Sequence, residues 1–312
     1  MAGELWHSDI EITEILVKNS IESQFSQLAP LTDIKLIGEG WDNKVFLINC
    51  DYIFRFPRRK VAVELLGREN IILHYLQNKI DLDIPNPIFI GQPSQHYPYP
   101  FQGYQMIHGT SGCYAKLTAD ERISSLKPLA LFLKQLHSIG EKQALSIGAN
   151  SQVFDRTQVE NIIPQIQERA NKINAKKIVI LNTNVLQNEI SKVRNITLPM
   201  NNNVLVHGDL YSLHLMFQDK KLTGIIDWGD VGINNRAVDL AIIFSFFPQS
   251  CHKEFLDAYG EVESNTWHYA RFLGLYSATT VLLYAHDKND KLLVHEAIHA
   301  IQRINADIIS PH

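Results

Sequence analysis

Residues 206–230 read VHGDLYSLHLMFQDKKLTGIIDWGD. Two short β-prone runs, VLVHGDL (204–210) and TGIIDWGD (223–230), flank HLMFQDKKL (214–222), and the passage has the texture of a hairpin. Each run carries an acid near its end, Asp209 in His207-Gly208-Asp209 and Asp227 in Asp227-Trp228-Gly229. This β island interrupts a region that otherwise has helical spacing. Upstream, SSLKPLALFLKQLHSI (124–139) predicts a helix of about four turns with a wide apolar face. Residues 158–193 have the periodicity of two more helices, and the last helices run from about 253 to 309.

The first hundred residues have a different texture. Apolar side chains at Ile12, Ile15, Leu16, Ile21 and Phe25 predict an opening helix that Pro30 closes off. The runs IKLI, KVFLI and YIFRF, separated by GEGWDN (38–43) and NCD (49–51), predict an antiparallel meander over 34–57. Helical spacing returns over 61–76. Then DIPNPIFIGQPSQHYPYPFQGYQMI (83–107), rich in proline, reads as loop, strand, loop, strand, ending at Met106. The expectation is an α+β chain: a small lobe with an antiparallel sheet over 1–105 and a larger, mainly helical lobe over 106–312.

Composition excludes several classes. At 312 residues, 45% hydrophobic and 20% charged, the chain can bury a core and is neither disordered nor fibrous. A net charge of -4 is not that of a nucleic-acid binder. The longest apolar stretch, 272–285, is interrupted by Gly, Ser and two Thr and falls short of the ~20 residues a membrane helix needs. Three scattered cysteines form no C-x-x-C pair, and residues 1–9 lack a secretory pattern, so a cytoplasmic protein is expected, a monomer or weak dimer. Residues 201–312 hold 8 Lys or Arg against 13 Asp or Glu. That surplus favours a cationic substrate if the carboxylates line a cleft; solvated helix faces explain it equally simply.

The central segment resembles the catalytic hairpin of protein kinases, H-R-D-x-x-x-x-N followed by D-F-G. The spellings H-G-D and D-W-G, with VDLA (238–241) just after them, are those of the aminoglycoside phosphotransferase and choline kinase superfamily, so the chain is similar to antibiotic and small-molecule kinases. The resemblance covers about 34–108 and 204–247. It implies a two-lobed, protein-kinase-like fold whose N-terminal lobe binds a nucleotide, ATP or GTP. It also implies Mg²⁺, and transfer of the γ-phosphoryl group to a hydroxyl of a small molecule.

Carried onto this sequence, the resemblance makes Asp209 the catalytic acid-base residue and Asp227 a metal ligand. His214 stands where the wider pattern has a metal-binding Asn; Mg²⁺ prefers oxygen donors, so this position reads either as an imidazole ligand or as a packed histidine. Gly38, Gly40 and Asn43 lie in the turn expected to close over the phosphates. Arg55, 17 residues after Gly38, takes the place of the strand lysine that grips them, with Glu69 as its orienting partner. Lys44 is the alternative cation, and residues 55–60 also read as a solvated basic turn. Met106 and His108 fall in the segment that presents backbone groups to the purine. Asp239 is expected to support the catalytic loop, and Asp230 either neighbours the acceptor or caps a turn. His295-Glu296-Ala297-Ile298-His299 has the letters of a zinc-protease helix but lacks a third ligand, and reads as a surface helix face.

Among acceptors, aminoglycosides come first, because residues 38–59 look like the start of the 2''-kinases and the last third is acidic. Macrolides come second because of His214. A sugar or amino-alcohol kinase and an inactive nucleotide-binding protein are the rival readings.

Overall fold

The computed structural model describes residues 9–40, 42–151, 155–199 and 203–309. Trp41 of the GEGWDN turn lies outside them. The chain divides into two compact units, one running to Lys79 and resuming over Ile84–Ile107, the other made of Ile80–Asp83 and the chain from His108 onward.

In the first unit, helix α1 (Glu14–Glu22) begins where the hydroxyl of Thr13 accepts the amide of Leu16 at 3.3 Å, an N-cap that starts the opening helix later than periodicity predicts. Strands β1 (Ile34–Glu39), β2 (Asn43–Ile48) and β3 (Tyr52–Pro57) form the expected meander. Helix α2 (Lys60–Leu76), β4 (Phe89–Gly91) and β5 (Phe101–Gln105) complete the unit. All pairings are antiparallel, in the order β1-β2-β3-β5-β4. Strand side chains alternate between faces, so Phe46, Ile48, Phe54 and Phe56 pack with Val17 and Ile21 of α1 in one core. Phe56 stacks on Phe101 at 4.5 Å. The alternation turns Arg55 to the opposite face, toward α2.

The second unit contains β6 (Thr110–Ser111), α3 (Ala119–Ser124), α4 (Leu126–His137), α5 (Glu141–Ser146), α6 (Val159–Ala175) and α7 (Thr183–Arg194). It continues with β7 (Asn203–Val206), β8 (Leu215–Gln218), β9 (Lys221–Ile225) and β10 (Gly232–Asn235), then α8 (Ala237–Phe246), α9 (His252–Tyr259), α10 (Ser264–Asp287) and α11 (Lys291–Ile309). Helix α8 is apolar on every side and buried at every residue except Ser245, the sign of a central helix; α10 and α11 pack on it. The architecture is the expected α+β one.

One pairing differs from the simple hairpin reading of 204–230. The hairpin is β8 with β9, closed by Asp219 and Lys220, both at positive φ (49° and 65°), which suits a two-residue turn. Strand β7 pairs instead with β10, Val206 opposite Gly232. The two acids thus lie on loops that follow strands of different sheets, and hydrogen bonds between the loops bring them together.

Candidate active site

His207 opens the loop after β7. It is fully buried, and its Nε2 lies 3.1 Å from the carbonyl of Ile226, which can only accept, so the proton sits on Nε2. Its Nδ1 then accepts the amide of Asp209 at 3.3 Å. Burial holds the imidazole pKa below its usual value and keeps the ring neutral. Gly208 has φ +92°, a conformation other residues adopt only with strain, which accounts for glycine in this motif.

Asp239, in the first turn of α8, anchors this loop from below. Its carboxylate accepts the amides of His207 (2.8 Å) and Gly208 (2.9 Å) and contacts Nε2 of His137 (3.1 Å). Burial alone would raise its pKa. The bonds from His137 and the backbone prevail and hold it below the ordinary carboxylate range. The supporting role expected of Asp239 is therefore visible as three hydrogen bonds.

The loop continues through one 3₁₀ turn, Ser212–His214, to β8. The carbonyl of His214 accepts the amide of Ile226 at 3.0 Å, and Nδ1 of His214 lies 2.7 Å from the carbonyl of Asp209. Nδ1 must donate there, so the neutral ring presents its lone pair on Nε2, 3.4 Å from Oδ2 of Asp227. Asp227 has φ +64°, an uncommon left-handed conformation of the kind that clusters at functional sites. Ile226 ties the two loops together by both its backbone groups. Trp228, fully buried with its ring 4.8 Å from that of His207, fills the space beneath them.

An imidazole nitrogen and a carboxylate oxygen facing each other, with the other imidazole nitrogen fixed by a carbonyl, form a donor pair suited to a divalent cation. Among the described residues no group of three or more His, Cys, Asp or Glu is placed to hold a metal. A two-residue donor set fits an ion that takes its remaining ligands from phosphate oxygens and water, as Mg²⁺ does, although the nitrogen is a softer donor than Mg²⁺ favours.

Asp209 projects a half-exposed side chain from the same loop. Desolvation pushes its pKa up; Asp230 and Asp227 add to the push, and His214 and Arg156 oppose it without cancelling it. Arg156 carries no signal in the sequence. Its guanidinium donates to the carbonyl of Gly208 at 2.5 Å and to Asp230 at 2.9 Å, and stands 3.8 Å from Asp209. Asp230 is therefore the partner of an arginine.

In the first unit, Arg55 and Glu69 form a buried ion pair across β3 and α2. Lys44 points to the other face, its Nζ 3.2 Å from the carbonyl of Ile12 and 4.0 Å from Glu39. Geometry pairs Arg55, and not Lys44, with Glu69. The basic turn is latched to the glycine turn: Arg58 binds Glu39 (3.0 Å) and the carbonyl of Gly40 (2.7 Å), and Arg59 pairs with Asp42. The amide of Gly40 donates to the carbonyl of Asn43 at 3.0 Å. A side chain added at Gly38 or Gly40 would meet only ordinary contacts at 3.6–3.7 Å, so neither glycine is demanded by packing within this unit. Met106 donates its amide to the carbonyl of Asp51 at 2.7 Å, which leaves its carbonyl as the group it can present, and His108 is exposed.

Of the acids of the last third, Asp209, Asp227, Asp230 and Asp239 gather at the loops and others are spread over the helices. Asp230, Asp257, Glu263, Asp287, Glu296 and Asp307 all stand in ion pairs, Glu296 between Arg122 and Arg303. His295 and His299 lie ring to ring at 4.2 Å on α11, His295 exposed, with Glu296 turned inward to those arginines. Among the described residues no helix is long and apolar enough to cross a membrane.

These features define a small-molecule kinase. The chain belongs to the Phosphotransferase enzyme family, whose family model matches residues 33–273. It is similar to the GDP complex of wild-type aminoglycoside 2'-phosphotransferase-IIIa, with TM-score 0.67 and 21% identity over 95% of this chain and 99% of that one. It is also similar to macrolide 2'-phosphotransferase MphH from Brachybacterium faecium, with TM-score 0.57 and 19% identity over 90% and 98%. Among curated proteins it is 22% identical, over 73% of its length and 75% of the other, to the uncharacterized protein YcbJ of Bacillus subtilis (strain 168).

Proposed function

We propose that this protein transfers the γ-phosphoryl group of ATP or GTP to a hydroxyl of a small molecule in the cytoplasm, as a monomer or weak dimer. The observation that carries the reading is the pair of loops held together through Ile226, with the carboxylate of Asp209 on one and the donor pair His214 and Asp227 bridging both. Asp209 accepts the proton of the acceptor hydroxyl as its oxygen attacks the γ-phosphorus, while the bond from that phosphorus to the β–γ bridging oxygen breaks and the nucleoside diphosphate leaves. Asp227 and His214 hold Mg²⁺, which when bound neutralises charge on the phosphates. Arg55, oriented by Glu69, would grip the phosphates as a planar fork, Gly38, Gly40 and Asn43 would close over them, and backbone groups at Met106 and His108 would serve the purine.

The first acceptor class is the aminoglycosides, supported by the sequence of residues 38–59 and by the kanamycin complex of a structure similar to this chain at TM-score 0.65. Acceptors with fewer positive charges, macrolides and simple sugars among them, are the second. His214 and the pairing of the C-terminal carboxylates with arginines and lysines favour them, since paired carboxylates attract a polycation weakly.

The test is a transfer assay with ATP and with GTP in Mg²⁺ against aminoglycosides, macrolides and simple sugars, read as gain of one phosphoryl group by mass spectrometry. A phosphorylated aminoglycoside supports the first class and a phosphorylated macrolide the second. Nucleotide binding with neither transfer nor hydrolysis would replace the reading with that of an inactive nucleotide-binding protein.

A further inference from the structure

The motif segment holds the base and the donor pair, yet one side chain that grips their loops comes from outside it. The approach to α6 is itself pinned. Asp155 accepts the amide and hydroxyl of Thr157 at 2.8 and 2.6 Å, the amide group of Gln158 at 3.0 Å and that of Asn234 on β10 at 3.4 Å. Tyr269 of α10 donates its hydroxyl to the carbonyl of Arg156 at 3.1 Å, and β10 binds the preceding chain through Ile233 and Asn150 at 2.8 Å. The backbone of Arg156 is thus held from both sides, and its side chain is mostly buried.

From that base the guanidinium spans two loops. One nitrogen binds the carbonyl of Gly208, whose φ of +92° directs the chain into Asp209. The other binds Asp230, three residues after Asp227, and lies 3.8 Å from Asp209. The side chain of Asp230 is 52% exposed, so this ion pair contributes little to stability. A rigid planar fork holding two loops at fixed separation does something that a weak surface pair does not: it sets the position of the base relative to the donor pair.

We propose that Arg156 is a positioning residue for phosphoryl transfer, fixing the Gly208-Asp209 backbone against the loop that carries Asp227 and Asp230. The inference rests on the phosphotransferase reading for its kinetic consequence and on geometry alone for its structural one. A displaced base lowers turnover, because transfer depends on near-attack geometry, where an error of an ångström costs on the order of 10²-fold. Nucleotide affinity changes far less than turnover, since the guanidinium contacts Gly208, Asp209 and Asp230, while Asp227 is tied to the other loop through the backbone of Ile226 beside it.

Three variants in the full-length protein, Arg156→Ala, Arg156→Gln and Arg156→Lys, test this. Arg156→Ala and Arg156→Gln should lower kcat about 10- to 100-fold with nucleotide KM within about threefold and Tm within about 3 °C. Arg156→Lys, which keeps the charge and one contact, should recover part of kcat, and added guanidinium should restore several-fold activity to Arg156→Ala but none to wild type. Independently of turnover, amide hydrogen exchange across residues 206–212 should quicken about tenfold or more in Arg156→Ala while α10 and α11 keep their protection. A folded Arg156→Ala protein with wild-type kcat, a loss confined to KM, or unchanged exchange in 206–212 would each overturn the proposal. If wild type transfers phosphate to no acceptor, the functional reading fails, and the exchange comparison still decides whether Arg156 holds the loop.

Discussion

Asp239→Ala gives the most direct measure of how the site is built. The carboxylate is fully buried and accepts two backbone amides at 2.8 and 2.9 Å, with an imidazole nitrogen at 3.1 Å. Hydrogen bonds to a charged group contribute about 1.5–3 kcal/mol each, and removing the acceptor leaves two buried N–H groups unpaired. Against this, the variant no longer desolvates a charge, and water entering the vacated space recovers part of the loss. The net expectation is a destabilisation of about 3–5 kcal/mol, a fall in Tm on the order of 10 °C for a unit of this size. Asp239→Asn keeps one acceptor and presents N–H where a second is needed, so it should lie between. Scanning calorimetry, with tryptophan emission from the buried Trp228 as a second readout, measures the effect.

The pH response adds a sign. The folded pKa of Asp239 is below its unfolded value, so the unfolded chain takes up the proton first and the contribution, present above the ordinary carboxylate pKa of about 3.9, is lost as pH falls through the folded value. His207, held neutral by burial, acts in the same direction from about pH 6.5 downward. Wild type should lose Tm progressively below about pH 6.5, and Asp239→Ala should lack the share below about pH 4. An Asp239→Ala protein melting within about 2 °C of wild type, with the same acid limb, would refute the idea that this carboxylate organises the loop.

Asp209→Ala should abolish transfer while nucleotide affinity stays within a few-fold, whereas Asp227→Ala should lose both in Mg²⁺; transfer kinetics and a nucleotide titration distinguish the two. Arg55→Ala should weaken nucleotide binding and, by breaking the buried ion pair with Glu69, destabilise the N-terminal unit by about 3–5 kcal/mol. Arg55→Lys should keep much of both, and a damaging Lys44→Ala beside a silent Arg55→Ala would move the phosphate cation to the other face of the sheet. His214→Ala should raise the Mg²⁺ concentration needed for half-maximal turnover, and His214→Asn should keep activity. An unaltered Mg²⁺ titration in His214→Ala would make the histidine a packing residue held by the Asp209 carbonyl.

Much of this protein was legible along the chain because the relevant constraints are local. A glycine before Asp209, an acid before Trp228 and the alternation of YIFRF each express a backbone conformation or a burial pattern within a few residues, and such patterns survive translation into one dimension; helix α8, between the motif segment and the last expected helices, was not read from the sequence. Arg55 and Glu69 were named from the resemblance, and the structure shows them as an ion pair between β3 and α2. What tertiary structure alone decided is the set of partners drawn from distant segments. Strand β7 pairs with β10 rather than with its neighbour in sequence, and Arg156 reaches a carbonyl 52 positions away from a stretch without motif. Several carboxylates counted in the acidic surplus are matched with arginines from distant parts of the chain, Glu296 with Arg122, Glu263 with Arg236 and Asp307 with Arg271. Charge counts add along a sequence, but ion pairs and strand pairings depend on which surfaces meet when the cores close, and only packing in three dimensions selects them.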